Sequence, residues 1–177
     1  MQKFRIWGTM LFAVGLMGCG GGDDNSAEAP DDNFGEGKLV VSSDAYLPED
    51  AEEAAAMKEA RETFDKFVET SMDLDSAGVG YVAYVMVQQD DPKTEEVVMV
   101  DSVEPNGDGY KGMVSMDPTS IKDIAMGDEI QFKKGHVVEW RYIDEGKVVG
   151  AHHHRVIRSR MSEAELKADN ESIPFEW

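Results

Sequence analysis

Apolar side chains fall at helical spacing in the first regular stretch of the chain. Met57, Ala60, Phe64, Phe67 and Val68 stand at i, i+3, i+7, i+10 and i+11, which is the period of one helix face. Asp50 with Glu53 three residues later supplies an N-cap and its N3 acid. The pattern predicts an amphipathic helix from Asp50 to near Thr70, with Glu62 and Lys66 as an i,i+4 pair on its polar side. Met72 to Gly80, with Asp, Ser and Gly, reads as a loop.

Beyond the loop the pattern turns to β. Tyr81–Gln88 and Glu96–Val103 are apolar runs joined by Asp90-Asp91-Pro92-Lys93, which predicts two strands and a polar turn. Asn106-Gly107-Asp108-Gly109 marks a second turn before Tyr110–Ser115, and Ile130 and Phe132 alternate with polar neighbours in Glu129–Phe132. Val137–Ile143 and Lys147–Ile157 flank Asp144-Glu145-Gly146, which reads as a three-residue hairpin loop. No long helical pattern separates these strands, so an antiparallel sheet is expected rather than parallel βαβ units. The expected fold class is α+β: one long amphipathic helix packed on a bent antiparallel sheet. Ser162 and Glu165 form a second capping-box pattern and predict a short C-terminal helix within Met161–Asp169. Ile173, Phe175 and Trp177 follow it, apolar groups for docking on the domain or for a partner.

The N-terminus follows a different logic. Lys3 and Arg5 precede a mostly apolar run from Ile6 to Leu16, an n-region followed by an h-region. The run is too short to span a bilayer, which takes about 20 apolar residues. It ends in Leu16-Met17-Gly18-Cys19, which resembles the bacterial lipoprotein box, and Cys19 is the chain's single cysteine. The resemblance implies a diacylglycerol on the Cys19 thiol, cleavage before Cys19 and palmitate-type acylation of the new terminus; a plain secretory signal with a chance Cys is the alternative. Gly20 after the Cys, rather than Asp, implies the outer membrane, facing the periplasm. The expected organisation is a signal peptide over 1–18, an acidic, Gly-rich tether over 19–49, an α+β domain over 50–161 and a C-terminal extension over 162–177. Lys38–Ser43 is a short strand or the tether's end.

Charge narrows the partners. The chain has 36 acidic and 17 basic residues, a formal charge of -19; loss of Lys3 and Arg5 with the signal takes it to -21. Such a chain repels polyanions, so nucleic acid is not an expected partner, and attachment to the membrane falls to the acyl chains. A single Cys leaves no intrachain disulfide and no Cys-rich metal motif.

From about Glu52 to Met161 the chain resembles the YegJ-like family, a bacterial domain of unknown function. The resemblance rests on the Ala-rich first helix, on Gly127-Asp128-Glu129-Ile130-Gln131-Phe132, and above all on Val138-Glu139-Trp140-Arg141-Tyr142 with Gly146-Lys147-Val148-Val149-Gly150 and Arg155-Val156-Ile157. It implies a fold and often a lipoprotein setting, and no known reaction. The family usually has Asp where Glu139 stands, and commonly an aromatic, Thr and an aliphatic where this chain has His152, His153 and His154.

No GxSxG, HExxH, P-loop or GxGxxG following a strand occurs. Acid pairs such as Asp90-Asp91 and Glu95-Glu96 read as solvated turn residues, and Asp73, Asp75 and Asp101 lack the EF-hand positions for calcium. Glu139-Trp140-Arg141 is the most distinctive constellation. As a recognition patch it would present Trp and Arg to a partner; as a strand it puts Trp140 in the core with Val138 and Tyr142, and Glu139 and Arg141 in solvent. Arg155 is a candidate to pair with a carboxylate. A three-residue loop would set Ile143 against Lys147, His136 against His154 and Val138 against His152, so that His136, His152 and His154 share one face. Three imidazoles match a zinc site with an open position. The leading expectation is a noncatalytic, lipid-anchored module, without cofactor beyond the lipid on Cys19, that binds an unknown envelope protein or small ligand or helps maintain the envelope. The alternative is a zinc-binding or metal-dependent envelope protein using those histidines.

Overall fold

The computed structural model describes Pro48, residues 50–90 and residues 93–177. Cys19, the signal, Lys38–Ser43 and all of the tether but Pro48 lie outside the described residues. Helix α1 runs over Ala51–Met72, capped by Asp50, whose Oδ1 accepts the backbone N–H groups of Glu52 at 2.9 Å and Glu53 at 3.0 Å. All five positions of the expected apolar face are buried, with Ala56 added. Glu62 pairs backwards with Lys58 at 3.6 Å rather than forwards with Lys66.

Six strands follow: β1 Val79–Asp90, β2 Lys93–Asn106, β3 Gly109–Val114, β4 Glu129–Phe132, β5 Val137–Asp144 and β6 Lys147–Gly150. They form one sheet in the order β4-β3-β2-β1-β5-β6, every neighbour antiparallel. Asp90 pairs with Lys93 at the first turn, and Asp91 and Pro92 within it lie outside the described residues. A single 3-10 turn, Lys134–His136, carries the chain from edge strand β4 to β5 on the far side of β1. In a flat sheet those strands would lie about 19 Å apart, whereas the linking residues reach about 13 Å. The sheet is therefore curled, and α1 lies in its hollow.

The core fills that hollow. Ala83, Val85 and Val87 of β1, Val98 and Val100 of β2, and Ile130 and Phe132 of β4 follow the period-two rule and join Ala60, Phe64, Phe67 and Val68 of α1. Phe64 meets the Tyr110 ring edge-on at 4.9 Å and Phe67 stacks on Trp140 at 5.1 Å. Trp140 Nε1 donates to the Ala60 carbonyl at 2.9 Å, so the indole is satisfied where it is buried. Between Tyr84 and Val85 the β1–β5 register shifts, and there Arg61 Nε donates to the Val137 carbonyl at 2.8 Å.

The chain departs from expectation after β5. Glu145 and Gly146 both have positive φ, 46° and 79°, and Asp144 pairs with Lys147. This is a two-residue turn of the primed type, one residue shorter than the expected loop, and it shifts the β5–β6 register by one. Strand β6 then stops at Gly150 instead of reaching Ile157. Gly150 (φ 76°) and Ala151 (φ 56°) swing the chain into helix α2, His152–Ser159. Helix α3, Glu163–Ser172, carries the expected capping box of Ser162 and Glu165 and extends three residues beyond Asp169. Ile173 and Trp177 pack against Ile143, Val148 and Ala151, while Phe175 stays exposed. Glu176 makes a parallel bridge with Lys147 and so covers the outer edge of β6.

Candidate functional site

The polar chemistry converges where α1, α2, α3 and β5 meet. Ala151, the N-cap of α2, has no side chain to offer the helix's first N–H groups. Glu139 of β5 takes that role. Its Oε2 accepts the His154 N–H at 2.7 Å, and the N–H groups of His152 and His153 add their pull on its charge. The carboxyl is 5% exposed, and burial pushes its pKa up to about 7 against the pull of those N–H groups. Tyr84 is its cross-strand partner, with the Arg141 guanidinium over the Tyr84 ring at 5.3 Å.

The histidines are the first three residues of α2, and at about 100° per residue they point three ways. His152 Nδ1 lies 3.4 Å from Glu59 of α1, and its ring meets Trp140 edge-on at 5.4 Å. His153 is buried, with Nε2 3.7 Å from Glu53, whose other oxygen accepts from Arg160 at 2.9 Å. His154 Nε2 lies 2.9 Å from Asp169 of α3, its ring stacked on Trp177 at 4.9 Å; Asp169 also binds Arg158. Burial lowers the pKa of His153 and of His154, opposed by Glu53 and Asp169 respectively. Each imidazole thus faces a carboxylate on a neighbouring helix, and the triplet fastens α2 to α1 and α3. An open groove of about 500 Å3 runs outside it, lined by Glu52, Ala56, Glu59, Gly150, His152 and Arg155 among others.

The expected site residues are therefore redistributed. His136 sits in the 3-10 turn, buried, its Nδ1 accepting the Lys133 N–H at 3.0 Å. It is not opposite His154, because the segment expected to continue β6 is helical, and the shared face of His136, His152 and His154 does not form. Among the described residues no group of three or more His, Cys, Asp or Glu has an arrangement that could hold a metal ion. Trp140 is in the core as the strand pattern required, but Glu139 is buried rather than solvated, so Glu139, Trp140 and Arg141 do not form one exposed patch. Arg155 donates to the Gly150 and Val148 carbonyls at 3.0 and 2.8 Å instead of to a carboxylate. Glu96, expected in solvent, accepts from Thr119, Ser120 and Ile121 and organises the loop before β4. Among the described residues no helix is long and apolar enough to cross a membrane.

A long helix in a curled antiparallel sheet, locked at one end by a buried carboxylate that caps a second helix, defines an α+β domain. Residues 50–177 match the family model described as "Uncharacterized protein conserved in bacteria (DUF2314)", and the chain belongs to that family. It is similar to the "Uncharacterized protein YegJ" of Escherichia coli (strain K12), with 29% identity over 97 residues, 55% of this chain and 61% of that protein. The chain thus matches less than two thirds of that relative's length. No solved structure matches it.

Proposed function

We propose that this chain is an exported lipoprotein of the bacterial envelope, anchored through acyl groups on Cys19 at the outer membrane and facing the periplasm, whose domain is a noncatalytic binding module. The observation that supports the module reading is the inward use of the polar junction. Glu139 serves the α2 amides, and the three histidines face Glu59, Glu53 and Asp169. Groups engaged in this way hold the fold rather than wait for a substrate. The anchor reading is supported by the order Lys3, Arg5, apolar run, Gly18 and Cys19, and by the family resemblance.

Metabolic palmitate labelling tests the anchor. Wild type takes up label and fractionates with the outer membrane, while Cys19→Ala loses both; label persisting in Cys19→Ala overturns it. Zinc titration of the untagged protein near pH 7.5 tests the module against a metal-binding protein. Affinity weaker than about 100 micromolar is expected. Tighter binding that is lost in His154→Ala replaces the module with the metal reading.

A further inference from the structure

The C-terminal end of α1 presents a surface that the junction does not use. Met72, Leu74 and Val79 are 53%, 101% and 61% exposed, three large apolar side chains within eight residues. Met72 also lines an open cleft of about 350 Å3, together with Ser71, Tyr81, Asp101, Val103 and Glu104. Ser102, also on the cleft, has φ 50° where the β2–β3 register shifts. Backbone held in this region is strained and clusters where proteins clamp ligands.

The electrostatics of this pole give the occupant its sign. The last turn of α1 has no basic residue, and its C-cap is Asp73, so a carboxylate sits where the helix dipole favours a cation. Asp75 lies exposed two residues on, and its N–H binds Asp73 Oδ1 at 3.0 Å. The cleft adds Asp101 and Glu104 and no Lys or Arg; Lys111, beside Glu104, is held between Glu104 and Glu129. An anionic lipid surface or a second copy of this acidic chain would be repelled here.

We infer that this pole docks a cationic peptide segment of a partner protein, one in which Lys or Arg side chains alternate with aliphatic ones. The basic groups meet the helix terminus, Asp73, Asp75 and Asp101, and the aliphatic groups cover Met72, Leu74 and Val79. The inference rests on the binding-module reading and is independent of the lipid anchor.

The full chain carrying Cys19→Ser, titrated into a fluorescein-labelled short peptide alternating lysine and leucine, tests it. Saturable binding is expected, weakened at least about tenfold by Leu74→Ser and by Asp73→Asn with Asp75→Asn, and unchanged by Met126→Ser, an exposed apolar site in the loop before β4. These side chains are solvent-exposed, so the variants fold. Absence of binding, indifference to Leu74→Ser, or equal binding of an all-lysine or a glutamate–leucine peptide overturns the inference. Such a failure alongside zinc affinity weaker than about 100 micromolar removes this surface and leaves the binding-module reading standing.

Discussion

Glu139 and His154 are joined across fifteen residues by one hydrogen bond of 2.7 Å, from the His154 backbone N–H to the Glu139 carboxylate. A side chain of β5 thus performs for α2 what an N-cap residue ordinarily performs for its own helix. Because the bond is tertiary, α2 depends on the sheet for its existence. Glu139→Ala should cost about 2–3 kcal/mol and reduce helical circular dichroism before the sheet melts. Stability within about 0.5 kcal/mol of wild type would show that the cap is dispensable.

The same carboxyl sets a pH dependence. Its pKa rises from 4.5 unfolded to about 7 folded, so the folded state binds the proton more tightly. Stability contributed by the protonated form is fully present below about pH 4.5 and is lost as pH rises towards 7. Relative to Glu139→Gln, wild type should lose on the order of 3 kcal/mol across that window, measured by urea denaturation at fixed pH. His153 and His154 work in the opposite direction, since their lowered pKa values remove stability as pH falls below 6.5, but both proteins share them. A difference between the two proteins that stays flat with pH contradicts this assignment.

Gly150 is required by both its backbone and its neighbour. Its φ is 76°, and a Cβ there would lie 2.5 Å from the Trp140 ring and 2.6 Å from the Trp140 carbonyl oxygen. Gly150→Ala should destabilise by more than about 2 kcal/mol and shift Trp140 fluorescence. Gly107, also at positive φ but with open space around it, should tolerate Ala at a cost of about 1 kcal/mol.

Phe64 is fully buried and meets Phe67, Tyr110 and Phe132. Phe64→Ala should cost about 3–5 kcal/mol in chemical denaturation. A loss below about 1 kcal/mol would mean that α1 does not fill the sheet's hollow.

These residues also show what was legible in the sequence. Helix α1 was readable because its determinants are local: Asp50 caps it and Met57, Ala60, Phe64, Phe67 and Val68 mark its face. The β4 alternation of Ile130 and Phe132 and the Ser162–Glu165 box were local in the same way. Helix α2 was hidden because Ala151 and the histidines carry no start signal, the cap standing twelve residues upstream at Glu139. The β5–β6 register was misread because Glu145 enters the left-handed region, which its residue type rarely does. At the junction, the strand alternation suggested solvent for Glu139, and only the fold brings the first amides of α2 to it.

The short crossing from β4 to β5 bears on the order of assembly. The strands β1 to β4 are joined through near neighbours in sequence, whereas Ala83 must find Trp140 fifty-seven residues away. Lys133–His136 can deliver β5 to β1 only after the meander has rolled around α1, so the long-range pairing closes last. Kinetic measurements should then divide the molecule: Val98→Ala in the hairpin slows refolding, while Val137→Ala in β5 chiefly speeds unfolding. Helices α2 and α3 and the terminal strap, all built on β5, would share that late step, making the junction around Glu139 the latch of the folding reaction rather than its seed.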